Sequence, residues 1–226
     1  MDINRLHKSQ NFSNVEIDVS HVVIHGTGVD CARTIEIFTG ASYQVSAHLV
    51  IDRDGAIYEL VSCLDGRALR AWHAGDSRWD VSQDGRSAQL ERFNDFSIGV
   101  ELVNVNGNVF PYTEAQYKSL FGVINLLRKH YPALNNPESI IGHEQIAGFR
   151  GKIDPGRKFD WSRLFSACYP GQMAPERVPK LPEDVVPLLA DLYSAAGFSK
   201  HPPSAISADS NDLCQRLSLL LERLLK

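Results

Sequence analysis

The feature that most constrains this chain is a pair of short, almost wholly apolar runs that each stop on a histidine, Val22-Val23-Ile24-His25 and Ile140-Ile141-Gly142-His143. Such runs, the first of them β-branched, are expected as largely buried strands. In a chain that alternates strands with helices, strand ends gather on one edge of a sheet, where α/β proteins place their chemistry. The two histidines therefore have a route to one another. Each also has a plainer reading, as a strand-end imidazole bonded to backbone.

The intervening sequence supports an α/β reading, a central mixed sheet flanked by helices. Asp30 caps a predicted helix that runs to about Phe38 and ends at Gly40. Residues 47–52 and 57–61 form two apolar runs joined by Arg53-Asp54-Gly55-Ala56, a hairpin signal. His48, inside the first of them, is expected in the core or behind a ligand. Residues 97–103 read as a further strand in which Glu101 lies among apolar neighbours. Burial of an unpaired carboxylate is costly, so Glu101 has either a catalytic role or a structural salt bridge. Thr113 and Gln116 make a capping box, and Tyr117, Leu120, Phe121, Ile124 and Leu127 keep a helical period that Pro132 stops.

Two stretches lack such periodicity. Residues 1–18 are expected to cross the surface irregularly. Residues 64–97 read as a long functional loop in which Ala71-Trp72-His73-Ala74-Gly75 is too aromatic for a linker. That segment is expected as a substrate-facing wall shared with Trp79 and Phe93; otherwise Trp72 plugs the core and His73 faces solvent.

Composition removes several function classes. The 226 residues, 43% hydrophobic, suffice for one main core with an appendage. A formal net charge of −4 without a basic stripe argues against a nucleic-acid partner. The four cysteines, Cys31, Cys63, Cys168 and Cys214, form no CxxC, which argues against cysteine-ligated zinc and against a disulfide framework. No run is long enough to span a bilayer, and the first residues lack a signal-peptide core. A cytoplasmic location is expected if Met1 is the native start, and a periplasmic or secreted one if a leader has been removed.

His25, His143 and Asp154 amount to a two-histidine, one-carboxylate set of the kind that catalytic zinc uses with its fourth position open. Glu101 is then the candidate proton acceptor, and Lys152 the cation for an oxyanion.

The segments Val22–His25, Ser46-Ala47-His48, Ala71–Gly75, Asn94–Glu101, Gly142-His143 and Lys152–Gly156 together resemble the zinc-dependent N-acetylmuramoyl-L-alanine amidases of the AmpD/AmiD type, which share a fold with peptidoglycan recognition proteins. The resemblance spans about residues 19–167. It implies one zinc ion held by His25, His143 and Asp154, Glu101 and Lys152 as catalytic residues, and Trp72, His73 and Asn94 along the substrate cleft. The implied reaction is hydrolysis of the amide between the lactyl group of N-acetylmuramic acid, or its anhydro form, and L-alanine of the stem peptide in peptidoglycan or muropeptides. A non-catalytic peptidoglycan-binding protein is the alternative; the complete metal set with Glu101 and Lys152 favours the enzyme.

The chain departs from that pattern in places. Gly26 stands where a tyrosine or similar residue is usual, which predicts a wider cleft beside the metal. The loop between His143 and Asp154 is slightly longer than typical, and Pro155-Gly156-Arg157-Lys158 replaces a Pro-Gly-Pro. Both bear on substrate preference.

The expected organisation is an irregular segment over 1–18, the amidase domain over 19–168, a linker over 169–182 rich in Pro, Gly and charge, and a C-terminal helical extension over 183–226. Val185, Leu188, Leu189 and Leu192 mark one amphipathic helix of the extension, and leucines from Leu213 to Leu225 a second. Too small to fold alone, these helices are expected to dock on the amidase domain or on a second subunit.

Overall fold

The computed structural model describes residues 2–83 and 86–195. In chain order its strands and α-helices are β1 (Ile3–Asn4), β2 (Phe12–Glu16), β3 (His21–Gly26), α1 (Cys31–Thr39), β4 (Leu49–Ile51), β5 (Ile57–Glu59), β6 (Leu69–Ala71), β7 (Arg78–Gln83), β8 (Arg86–Glu91), β9 (Ser97–Leu102), α2 (Glu114–His130), β10 (Ile140–Gly142), α3 (His143–Ala147), α4 (Trp161–Cys168) and α5 (Val186–Ala195). Six strands form one mixed sheet in the order β1-β5-β4-β9-β3-β10. Only β4 and β5, the hairpin at Asp54-Gly55, pair antiparallel within it.

The two sheet faces have different tasks. Val22 and Ile24 of β3, Ile98 and Val100 of β9 and Ile140 of β10 point into the main core, together with Leu120, Val123, Ile124 and Leu127 of α2. Those four α2 side chains are fully buried, and each burial stabilises by roughly 1.5–3 kcal/mol. The helix is started by the expected reciprocal cap: Thr113 Oγ1 accepts from the Gln116 amide and Gln116 Oε1 accepts from the Thr113 amide, both at 3.0 Å. Since strand residues alternate between faces, His25 and Glu101 project from the opposite side of the sheet. They are register partners across β3 and β9.

Several elements differ from expectation. Within residues 1–18, β1 extends the sheet edge and β2 pairs antiparallel with β6. A two-residue strand and a mostly exposed five-residue strand carry too little apolar alternation to be read from sequence. The stretch 64–97 holds β6 and an antiparallel pair, β7 and β8. Asp84-Gly85 between two runs was the available hairpin signal, muted because the runs are polar. Phe93 is not on a wall: it is fully buried with Val23 and Ala74, and Trp79 packs partly buried against that cluster. His143 opens α3 rather than ending a strand, with Gly142 as N-cap.

The stretch 169–182 lies along the domain, with Tyr169 and Leu181 buried and Arg177 Nε donating to the Ile140 carbonyl at 3.1 Å. α5 buries Leu189 and Tyr193 and leaves Leu188 and Leu192 63% and 50% exposed. Its inner face is thus rotated from the expected leucine stripe, because Tyr193 stacks edge-on against Phe110. The second predicted helix and Cys214 lie outside the described residues. No helix among those described is long and apolar enough to cross a membrane.

Candidate metal centre

His25, His143 and Asp154 reach one place from three elements. β3 delivers His25 at its C-terminal end. β10, which pairs parallel with β3, ends on the adjacent row and hands the chain to α3, whose first residue is His143. The loop after α3 turns back so that the Asp154 carbonyl accepts from the Glu144 amide at 2.8 Å, which sets the Asp154 side chain beside both imidazoles. Nδ1 of His25 is 3.4 Å and Nδ1 of His143 is 3.1 Å from Asp154 Oδ2. One donor atom from each of the three residues lies within 4.8 Å of the others.

The environment suits a cation. Burial works against the Asp154 carboxylate, yet the adjacent imidazoles of His143 and His25 outweigh it and hold the carboxyl well below the usual range. Burial, reinforced by His143, lowers the His25 pKa to about 4 and keeps the ring neutral. His143 Nε2 is buried with no hydrogen-bond partner among the described residues, as is Glu101 Oε2. Orphaned buried polar atoms are rare and call for a missing ligand or a chemical role. Two imidazoles and a carboxylate are the donors of an open catalytic zinc site, so the residues present fit a metal of this class.

Glu101 is 6% exposed, with Oε1 4.0 Å from His25 Nδ1. Burial and the nearby Asp154 charge push its carboxyl well above the usual range, against an opposing pull from Lys152. A cleft of about 250 Å³ opens over the group, lined by His25, Glu101, His143, Lys152 and Asp154, with His73 and the Asn104–Asn108 loop along its sides.

The remaining expected site residues separate. Trp72 is 44% exposed beside the site and is absent from the cleft lining. Asn94 turns inward, its Oδ1 accepting from the amides of His73 and Ala74 at 3.0 and 2.8 Å. His73 lines the cleft, but both ring nitrogens face protein partners: Nδ1 is 3.1 Å from His25 Nε2, and Nε2 is 3.2 Å from the Ser97 carbonyl. A Cβ at position 99 would lie 2.4 Å from the His73 ring, so Gly99 is what lets that ring rest on β9. His48 is fully buried, with Nδ1 accepting from the Gly99 amide and Nε2 donating to the Leu69 carbonyl. This is the core role expected for it.

Gly26 does not widen the cleft. A Cβ there would lie 2.9 Å from the Tyr112 hydroxyl, which occupies the space and donates to the Pro155 carbonyl at 2.8 Å. Tyr112 and the Asn104, Asn106, Asn108 series were missed from sequence. The signal for the latter was alternate asparagines around Gly107 directly after the strand that carries Glu101, since asparagine side chains readily bond backbone two residues on.

The family described as N-acetylmuramoyl-L-alanine amidase matches residues 16–157. The 1,6-anhydro-N-acetylmuramyl-L-alanine amidase AmpD of Haemophilus influenzae is 44% identical over 124 residues, 55% of this chain and 59% of that protein. AmpD of Citrobacter freundii is 44% identical over 134 residues, 59% of this chain and 63% of that protein. The chain thus spans somewhat less than two thirds of the length of these relatives. Among solved structures, a selenomethionine derivative of AmpD superposes with a TM-score of 0.57 at 34% identity, over 73% of this chain and 93% of that one. AmiD from E. coli, in complex with anhydro-N-acetylmuramic acid-L-Ala-D-gamma-Glu-L-Lys, gives 0.54 at 29% identity, over 68% of this chain and 58% of that one.

Proposed function

Because the chain belongs to the N-acetylmuramoyl-L-alanine amidase family, we propose that it is a zinc-dependent hydrolase of the amide between the muramoyl lactyl group and L-alanine, acting on soluble anhydro-muropeptides. The observation that carries this reading is the convergence of His25, His143 and Asp154 beside a buried Glu101 at the floor of one cleft. The anhydro-sugar preference follows the names of the AmpD relatives and the ligand of the AmiD complex.

One zinc ion held by His25, His143 and Asp154 would supply Lewis-acid polarisation of the substrate carbonyl and a positive charge that favours ionised Glu101. Glu101, held low in the cleft by its pairing with His25, takes the proton of the attacking water and returns it to the departing alanine amine. Lys152 on the cleft wall sets its ammonium against the oxyanion of the tetrahedral state. His73 Nδ1 accepts a hydrogen bond from His25 Nε2–H and His73 donates its own Nε2–H to the Ser97 carbonyl, which leaves the His25 Nδ1 lone pair facing Asp154. Burial lowers the His73 pKa well below its usual value, as such a neutral relay requires. Trp72 and Asn94 act at the rim, Trp72 as an exposed apolar surface for substrate and Asn94 by fixing the backbone beneath it.

The test is release of stem peptide, followed by mass, from soluble anhydro-muropeptides and from intact sacculi by zinc-restored and chelated protein. Metal-dependent release from the soluble substrate is expected. Activity on neither substrate with zinc present would favour a pure binding protein.

A further inference from the structure

The family match ends at residue 157, yet a contact that supports the cleft wall comes from beyond it. The Asn104–Asn108 loop lines the cleft and is shaped by a chain of amides. Asn104 Oδ1 accepts from the Asn106 amide at 3.1 Å, and Asn106 Oδ1 accepts from the Asn108 amide at 2.9 Å. Asn108 Nδ2 then donates to the Ile153 carbonyl at 3.0 Å, between Lys152 and Asp154. The middle member of this chain is held from outside: Asn106 Nδ2 donates to the Tyr193 hydroxyl at 3.3 Å. Tyr193 comes from α5 and is fully buried, its ring packed with Phe110, Val105, Leu181 and Leu189, and Ile153 lies against the same cluster.

We propose that Tyr193 is a positioning residue for the cleft: through Asn106 it fixes the Asn104–Asn108 wall, and through Asn108 and Ile153 it steadies the segment that carries Lys152 and Asp154. Helix α5 is then a working part of the site. The kinetic consequence rests on the amidase reading; the mechanical one stands without it. A buried amide that loses a side-chain acceptor is destabilised where it lies, so loss of the hydroxyl loosens the wall while the ring keeps the helix docked. A purely structural role for Tyr193 would show as a lower thermal midpoint of the Tyr193→Phe variant rather than as faster exchange confined to the cleft wall.

The test compares zinc-loaded full-length protein with Tyr193→Phe and with Leu192→Ala, a change on the outer face of the same helix. Hydrogen exchange of peptides covering 104–110 and 152–157 is read with kcat and KM on an anhydro-muramoyl tripeptide and with the thermal midpoint. Tyr193→Phe is expected to melt near wild type, to exchange at 104–110 about fivefold faster, and to raise KM about fivefold with a smaller change in kcat. Leu192→Ala should match wild type throughout. Unchanged exchange at 104–110, or faster exchange with unaltered kcat and KM, overturns the proposal. Should Tyr193→Phe fail to fold, Asn106→Ala cuts the same bond from the other side and is read by the same exchange. A wild-type protein without turnover contradicts the amidase reading alone, and exchange at 104–110 then decides the role of Tyr193.

Discussion

His25 Nε2 and His73 Nδ1 lie 3.1 Å apart, and this contact decides which nitrogen of His25 is left without a proton and free to hold a metal. Both rings are neutral, so one nitrogen in each carries a proton. The Ser97 carbonyl can only accept, which puts the proton of His73 on Nε2, that of His25 on its own Nε2, and leaves His25 Nδ1 bare. His73→Phe keeps a flat ring on Gly99 but cannot accept from His25. Zinc affinity, measured by competition with a chromogenic chelator, should fall by about 10–100-fold. Unaltered affinity would return His73 to the substrate wall.

Glu101→Gln replaces a buried acid by a neutral isostere. Turnover should fall by about 10²–10⁴-fold, while zinc content stays full and thermal stability is unchanged or higher, because the desolvated carboxylate is gone. Substantial residual turnover would remove Glu101 from the proton path.

Lys152 and His143 both line the cleft but should separate cleanly. Lys152→Ala is expected to lower kcat with zinc content nearly intact, whereas His143→Ala loses both. Metal analysis alongside steady-state rates distinguishes them, and a Lys152→Ala protein with full turnover would end the oxyanion role.

His21 offers a pH test away from the cleft. Its ring sits among Trp79, Phe93 and Phe96, and burial, aided by Arg177, lowers its pKa to about 4. Below about pH 6.5 the unfolded chain takes up the proton that the folded ring refuses until about pH 4. Protons therefore favour unfolding, and stability falls as pH drops through that window. Between pH 7 and 5, wild type should lose on the order of 1–2 kcal/mol more than His21→Phe in urea unfolding. Equal losses would show that the ring is protonated in the fold.

Much of this was legible because buried strands and caps leave strong local patterns. Val22–Ile24, the Thr113–Gln116 box and the Asp54-Gly55 hairpin each declare themselves within a few residues. The donor set was legible as residue types, and the resemblance tied them together. What stayed hidden depends on distant partners. Trp72-His73 reads the same whether His73 meets substrate or His25, and only the absence of a Cβ at Gly99 lets the ring reach His25. Gly26 suggested empty space because its occupant, Tyr112, lies far along the chain. In α5 the choice between leucine faces was made by Phe110, which no helical period reveals.

The central claim is metal-dependent hydrolysis at the lactyl–alanine amide. Its most direct measurement is the mass of the products when an anhydro-muramoyl tripeptide is cleaved in water enriched in heavy oxygen. Zinc-loaded protein should give an unlabelled free tripeptide and an anhydro-muramic acid with one heavy oxygen on the lactyl carboxylate, and chelated protein should give neither. Label on a peptide carboxylate, or no cleavage by the zinc-loaded protein, would contradict the account.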